Sequence, residues 1–322
     1  TITAAATGAT NGIYVSGSTD TMAAAGAQQV TLTNCTVSGG TAIEVKYTDL
    51  TLTDCTVTAT VETPSYTQDN NGATTAGFAV VSTDNATGAA TPKPNGKITI
   101  QGANGSYKGQ VGLASLETVK TGYADFKDTT YAVSGGSFTK EVLPEYCADG
   151  FIPTQNEDGT YGVKAGKYVA EVNGKKYETL QEAIAAAERN STVKLIADTR
   201  ENVTINKALT LDLNGFTLNG GTVKGTPTLK IDTARVTVMD SSAVQTGTIM
   251  REDTAENSGV SSHYVIDIQG KNALLTFNSG NVRNNSGNAN GSEGASLVRV
   301  GNDSDKKAHP VLTVAGGTFT QD

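Results

Sequence analysis

Asp232 and Asp240 bracket the apolar stretch 236–239, with Arg235 between them, and this trio comes nearest in the chain to the make-up of a reaction centre. Two carboxylates held within about 10 Å of each other are the equipment of glycoside hydrolysis. Acidic groups that hold Ca²⁺ beside a basic residue that takes up a proton are the equipment of polysaccharide elimination. The charged edge of a turn uses the same residue types, and it is the plainer reading of the three.

The other reactive residues are scattered. His263 precedes a strand-like run and His309 precedes Pro310, so both fall in loop-like sequence. Asn302-Asp303-Ser304-Asp305 has the composition of a weak Ca²⁺ loop, with a solvated loop as the plainer reading. Cys35, Cys55 and Cys147 show no CxxC spacing, and Cys147, with no histidine nearby in sequence, reads as core filler rather than as a nucleophile. The chain holds no GxSxG elbow, no phosphate-cradling GxxxxGKS/T loop, no HExxH and no glycine-rich calcium nonapeptide. These patterns predict a chain that is not an enzyme, with no catalytic residue, no metal and no cofactor.

What must position these residues is a repeat. Val30-Thr31-Leu32-Thr33-Asn34-Cys35-Thr36-Val37 recurs twenty residues later as Leu50-Thr51-Leu52-Thr53-Asp54-Cys55-Thr56-Val57. Each copy alternates apolar and polar residues twice, and the parity switches at Asn34 and Asp54. A bend or bulge there keeps Val30, Leu32, Cys35 and Val37 on one buried face, as it does their later counterparts. Such an offset suits one coil of a β-solenoid, in which like stacks on like about 4.8 Å apart. Cys35 is then expected over Cys55, and Val37 over Val57. The two thiols come near disulfide range, but in-line side chains do not readily reach the required dihedral, so a reduced, buried ladder is the expectation.

Composition points the same way. The 322 residues suffice for two ordinary domains or one continuous solenoid; an aromatic fraction of 6% with no Trp, and 36 Gly, suit a thin core of β-branched side chains. A net charge of −8 argues against nucleic-acid or anionic-membrane partners. No apolar run reaches transmembrane length and no signal-peptide pattern is present, so any leader or anchor is expected outside this segment and no membrane insertion is expected within it.

Along the chain, period-two runs are expected as strands at 41–47, 78–82, 97–101, 112–116 and 131–133, and again at ten places from 192 to 314. Polar, Pro-bearing inserts at 62–76 and 84–96 read as loops leaving the solenoid. Gly135-Gly136-Ser137-Phe138 and Gly316-Gly317-Thr318-Phe319 read as coil-closing corners, and Asn214, Asn219, Asn278 and Asn284 as stacked amides or as solvent-facing turn residues. A hairpin is expected around Asn156-Glu157-Asp158-Gly159 and another at Asn173-Gly174. The single convincing helix is 179–190, opened by a capping box of Thr179 and Glu182. The expected fold is all-β, a right-handed parallel β-helix with one short capping α-helix.

Val172-Asn173-Gly174 through Tyr177-Glu178-Thr179-Leu180-Gln181-Glu182-Ala183-Ile184, then Val193-Lys194-Leu195-Ile196 and Leu209-Thr210-Leu211-Asp212-Leu213-Asn214-Gly215, resembles the capping helix and first coils of pectin-lyase-like β-helix domains in large cell-surface proteins of gut Firmicutes. The stretch from Gly135 to Phe151, with Asp158-Gly159-Thr160-Tyr161, is similar to the close of such a domain. The resemblance implies a fold and a bacterial cell-surface or secreted, extracellular setting, not an activity. By it, 1–166 is the C-terminal-type half of a β-helix and 167–322 the N-terminal-type half of another.

The function expected is that of a non-catalytic structural or adhesive segment, with a polysaccharide lyase or glycoside hydrolase of the same fold as the alternative. The loops 62–76, 84–96 and 284–293 offer a recognition face, with Tyr66 as the binding residue and a host glycan or glycoprotein as the partner. The other expected partner is a copy of the chain itself, joined head to tail in an array or filament, with 311–322 leading into Thr1-Ile2-Thr3 of the next copy.

Overall fold

The twenty-residue repeat folds as its parity predicts. In the computed structural model Val30 pairs with Leu50, Leu32 with Leu52 and Val37 with Val57, all in parallel. The parity switch has a backbone cause: Asn34 (φ 54°) and Asp54 (φ 50°) are left-handed, a conformation these two side chains tolerate better than most. One left-handed residue turns the strand sharply and returns the next apolar side chain to the interior. The structure describes every residue except 5–9, 17–27, 47, 70–71, 84–95, 115–129, 222–224, 253–262, 285–294, 302–306 and 322.

The chain divides into two compact units, Thr1–Lys167 and Tyr168–Asp322. In the first unit the strands fall into three parallel sheets that the chain visits in fixed rotation. The first sheet carries Ile2–Thr3, Thr36–Gly39, Thr56–Ala59, Ser106–Lys108 and Ser137–Phe138. The second carries Asn11–Ser16, Thr41–Lys46, Phe78–Thr83 and Gln110–Ala114, and the third Gln28–Thr33, Thr48–Thr53, Lys97–Gln101 and Thr130–Val133. Inward side chains form straight ladders. Val30, Leu50, Ile98 and Tyr131 make one, and Ile2, Val37, Val57, Tyr107 and Phe138 another, ending in stacked rings 4.8 Å apart.

The far end of this unit is closed. The strands Phe151–Gln155 and Tyr161–Ala165 form the expected antiparallel hairpin, which joins the first sheet through Phe138 and Tyr161. A 3-10 turn, Pro144–Tyr146, packs against the strand Thr130–Val133, with the Tyr146 ring 4.5 Å from that of Tyr131 and Cys147 bridging to Val133. The polar insert before Phe78 is not a plain loop: Ser65–Asp69 and Gly72–Ala76 pair as an antiparallel hairpin of their own.

The second unit repeats the plan with three more parallel sheets. Its fourth sheet contains Thr192–Leu195, Leu209–Asp212, Arg235–Met239, Leu274–Phe277 and Val311–Val314; the fifth contains Thr199–Arg200, Thr217–Asn219, Thr248–Arg251, Asn281–Asn284 and Thr318–Gln321. The sixth contains Val203–Ile205, Leu229–Asp232, His263–Gln269 and Ala295–Val300. Here the closed end comes first. The hairpin Ala170–Val172 with Lys175–Tyr177 and helix α1 (Leu180–Ala186) cover it, with Leu180, Ala183 and Ile184 buried. Both arms of the Thr179–Glu182 capping box are present, and Glu201 accepts from the N–H groups of Leu180 and Gln181 at 2.8 and 3.2 Å. The helix is shorter than expected because Ala187 is already extended (φ −61°, ψ 138°); Lys207 Nζ takes the carbonyls of Ala185 and Ala187 instead.

Candidate functional site

Asp232 and Asp240 do not converge. They stand at opposite ends of the strand Arg235–Met239, and each has its own local role. Asp232 is half-exposed and faces Lys230 Nζ at 3.2 Å, with the Thr233 hydroxyl donating to it at 3.1 Å. Asp240 is buried at a sheet corner, where it accepts from the N–H groups of Gly215 (2.9 Å), Ser242 (2.9 Å) and Gly247 (2.6 Å). Burial opposes its ionisation, but hydrogen bonds from Ser242, Gly247 and Gly215 outweigh that and hold the carboxyl below the usual carboxylate range. An anion so clasped is a poor proton donor at neutral pH.

The corner is a ladder in its own right. Asp212, one coil earlier, accepts from Asn214 N–H, Ser241 N–H and the Ser241 hydroxyl, and the Asp240 N–H donates to Ser279 Oγ at 2.8 Å one coil later. The carboxylates thus tie successive coils together. Three of the four asparagines donate to other partners: Asn214 to Leu195 O, Asn219 to Glu252 and Asn284 to Ser296 O. The three cysteines are free thiols, and Cys55 Sγ points to the carbonyls of Leu32 and Thr53. Burial, then Glu145, pushes the Cys147 thiol up to about 11. Among the described residues no three His, Cys, Asp or Glu side chains lie together as metal ligands.

Three buried polar groups, Glu44, Asp267 and Arg251, were not anticipated from the sequence. Glu44 is fully buried on the outward side of Thr41–Lys46, where Asn11 Nδ2, Thr75 Oγ1 and Thr83 Oγ1 donate to it at 2.9, 2.8 and 3.0 Å. The alternation Ile43, Glu44, Val45, Lys46 reads as a solvent-facing pattern, and only the neighbouring elements reveal that both faces are buried. In the second unit Arg299 grips Asp267 with two hydrogen bonds, 2.8 and 2.6 Å, while its guanidinium lies 4.3 Å from the Tyr264 ring centroid. Arg251 is also fully buried, at a position where the strand pattern calls for an apolar side chain, and it donates to Thr226 O.

Tyr66 lies on the hairpin Ser65–Asp69, half-buried, with its ring packed against Phe78 and Val81. Tyr66 therefore lies against the outward surface of the second sheet. The insert 84–96 lies outside the described residues apart from Gly96, and 284–293 apart from Asn284, as do Asn302 to Asp305. His263 opens the strand His263–Gln269, and His309 is exposed beside Pro310. An open cleft of about 290 Å³ in the first unit is lined by Ala59, Val61, Glu62, Lys108, Thr139 and Lys140, a set with charge for binding but no acid–base pair set against a nucleophile.

Each unit has one stack edge at which no further described strand pairs. In the first unit Ile2–Thr3, Asn11–Ser16 and Gln28–Thr33 are all edge strands, and in the second unit Val311–Val314, Thr318–Gln321 and Ala295–Val300 are. Five of the seven large hydrophobics exposed among the described residues, Ile2, Tyr14, Val300, Val311 and Val314, sit on these six strands. No helix among the described residues is long and apolar enough to cross a membrane. No protein family, curated protein or solved structure matches the chain.

Proposed function

We propose that each unit is a run of right-handed parallel β-helix and that the chain is a non-catalytic, extracellular structural and adhesive segment of a bacterial surface protein. The pectin-lyase-like domains of gut Firmicutes are the kind of protein it is assigned to. The observation that carries this reading is the rotation of the strands through three parallel sheets with one ladder step per coil, as in Val30, Leu50, Ile98 and Tyr131. A stack of this kind has a thin core and a long outer surface, which suits spanning and display. The corner role of Asp240 weighs against the lyase and glycosidase alternative, since its oxygens already accept three backbone N–H groups. Contact with a host glycan or glycoprotein is assigned to the outward face that carries Tyr66, and contact with copies of the chain to the stack edges.

Incubation with pectins, mucin glycans and host glycans, with and without Ca²⁺, tests the reading. Retention without cleavage is the expected outcome. Depolymerisation of any of these polymers overturns it.

A further inference from the structure

The two open edges match each other in sheet number, in corner spacing and in side-chain character. The first coil of the first unit and the last coil of the second each end three parallel ladders, and no described residue pairs with the outer side of either. The corner that follows the third sheet places Val37 five residues after Leu32, and Phe138 five after Val133. The corner that follows the fourth sheet does the same, with Val282 five residues after Phe277 and Phe319 five after Val314. The third and fourth sheets are therefore equivalent in phase, as are the first and fifth. The approach to that sheet agrees: Leu50 follows Val45 by five residues, and Val236 follows Ile231 by five, which makes the second and sixth sheets equivalent too.

We propose that the last coil of the second unit in one copy docks on the first coil of the first unit in a second copy, as one more step of all three ladders. This deepens the reading of the chain as a structural segment and rests on it. The phase fixes the register. Leu312 and Val314 then lie over Val30 and Leu32, every one of them an inward position on its own ladder. Phe319 lies over Ile2, which is 42% exposed without such a neighbour. Val298 and Val300 lie over Ile13 and Val15.

The outward positions agree as well. The same register sets Arg299 over Tyr14, which is 46% exposed, with Glu44 one strand beyond it. A guanidinium already paired with Asp267 and stacked on Tyr264 gains a second aromatic ring, and Tyr14 stands between it and Glu44 along the extended ladder. The strands Thr318–Gln321 and Ile2–Thr3 hold equivalent sheet positions, so they pair side by side and do not join end to end. The contact uses a different surface on each copy, so it is heterologous and propagates.

The test uses the full 322-residue chain. Thr31 and Thr313 are exposed outward neighbours of the matched residues, and docking sets their Cα atoms about 4.8 Å apart. In a Cys35→Ser background, Thr31→Cys with Thr313→Cys and a short bismaleimide is expected to give dimers, trimers and longer products, while each single substitution gives none. Light scattering is expected to show mass rising with concentration, and Val314→Glu to return the chain to the mass of one copy with its circular dichroism melt unchanged, since Val314 is 50% exposed within a copy.

A chain that stays at the mass of one copy over an about hundredfold concentration range overturns the proposal. So does a crosslinked product confined to single chains, or a Val314→Glu variant that still multimerises. Glycan cleavage by a multimerising chain removes the structural reading but not the docking; a monomer that cleaves nothing does the reverse.

Discussion

Replacing Asp240 with alanine separates a corner clasp from a catalytic carboxylate. The substitution removes the acceptor of three backbone N–H groups at 2.6 to 2.9 Å from a residue that is 3% exposed. Hydrogen bonds to a charged group contribute about 1.5–3 kcal/mol each, and a stranded buried donor costs about 1–3 kcal/mol. Ser241 beside it is exposed, so water recovers part of the loss, and the net cost comes to about 3–5 kcal/mol. In a unit of this size that is a fall of about 10 °C in melting temperature. Asp232→Ala, which removes only a half-exposed partner of Lys230, costs about 0–1 kcal/mol. Hydrogen exchange locates the damage: amides in 209–219 and 236–251 are expected to lose protection in Asp240→Ala, while those of 1–167 do not change. Acid reproduces the effect in part. The folded carboxyl is held below its usual range, so its contribution is complete above the unfolded value of about 3.9 and is lost as pH falls through the lower folded value. If Asp240→Ala melts with Asp232→Ala, or its exchange is unchanged at those corners, the clasp does not tie the coils and the argument fails.

Leu52→Ala, at a fully buried step of the third-sheet ladder, is expected to cost about 2–5 kcal/mol in urea denaturation, and a loss under 1 kcal/mol on the order of a surface change contradicts the ladder packing. Gly96→Ala is expected to prevent folding of the first unit, because its Cβ falls 1.8 Å from Thr48 O, whereas Gly150→Ala, with φ +78° but open space around it, costs about 1–2 kcal/mol; equal melts for the two variants refute the close approach. In native-state alkylation near pH 8, Cys35 is expected to label first, with Cys147 slowed by its raised pKa and Cys55 by full burial; mass spectrometry that finds Cys55 labelled as fast as Cys35 argues against the stack.

The ladders were legible in the sequence because each depends on a local signal. Val30 to Val37 and Leu50 to Val57 carry period-two runs and a residue tolerant of positive φ, and those two features fix strand, bend and register together. The capping box at Thr179 was legible for the same reason, but its helix length was not: the end is set by Lys207, which reaches back from a different coil. The polar sites were hidden by distance along the chain. Glu44 is completed by Thr75 and Thr83, more than thirty residues away, and Asp267 by Arg299. Asp232 and Asp240 drew attention by proximity in sequence, yet an extended strand carries neighbours apart, while the corner that engages Asp240 is assembled from Gly215, Ser242 and Gly247 on two coils.

The direction of the ladder bonds has a mechanical consequence. Bonds between successive coils run along the stack, so a tension applied along it loads them one after another as a strand lifts away, and not all at once in shear. A coil with the twenty-residue spacing of Val30 to Leu50 releases about 60–70 Å of chain as it is drawn straight. The ladder corners at Asp212 and Asp240 then act as stops, since each must surrender several charge-assisted bonds before the next coil yields. Pulled along the stack, the chain is expected to lengthen in discrete steps, each marked by the loss of one coil's ladder and corner bonds.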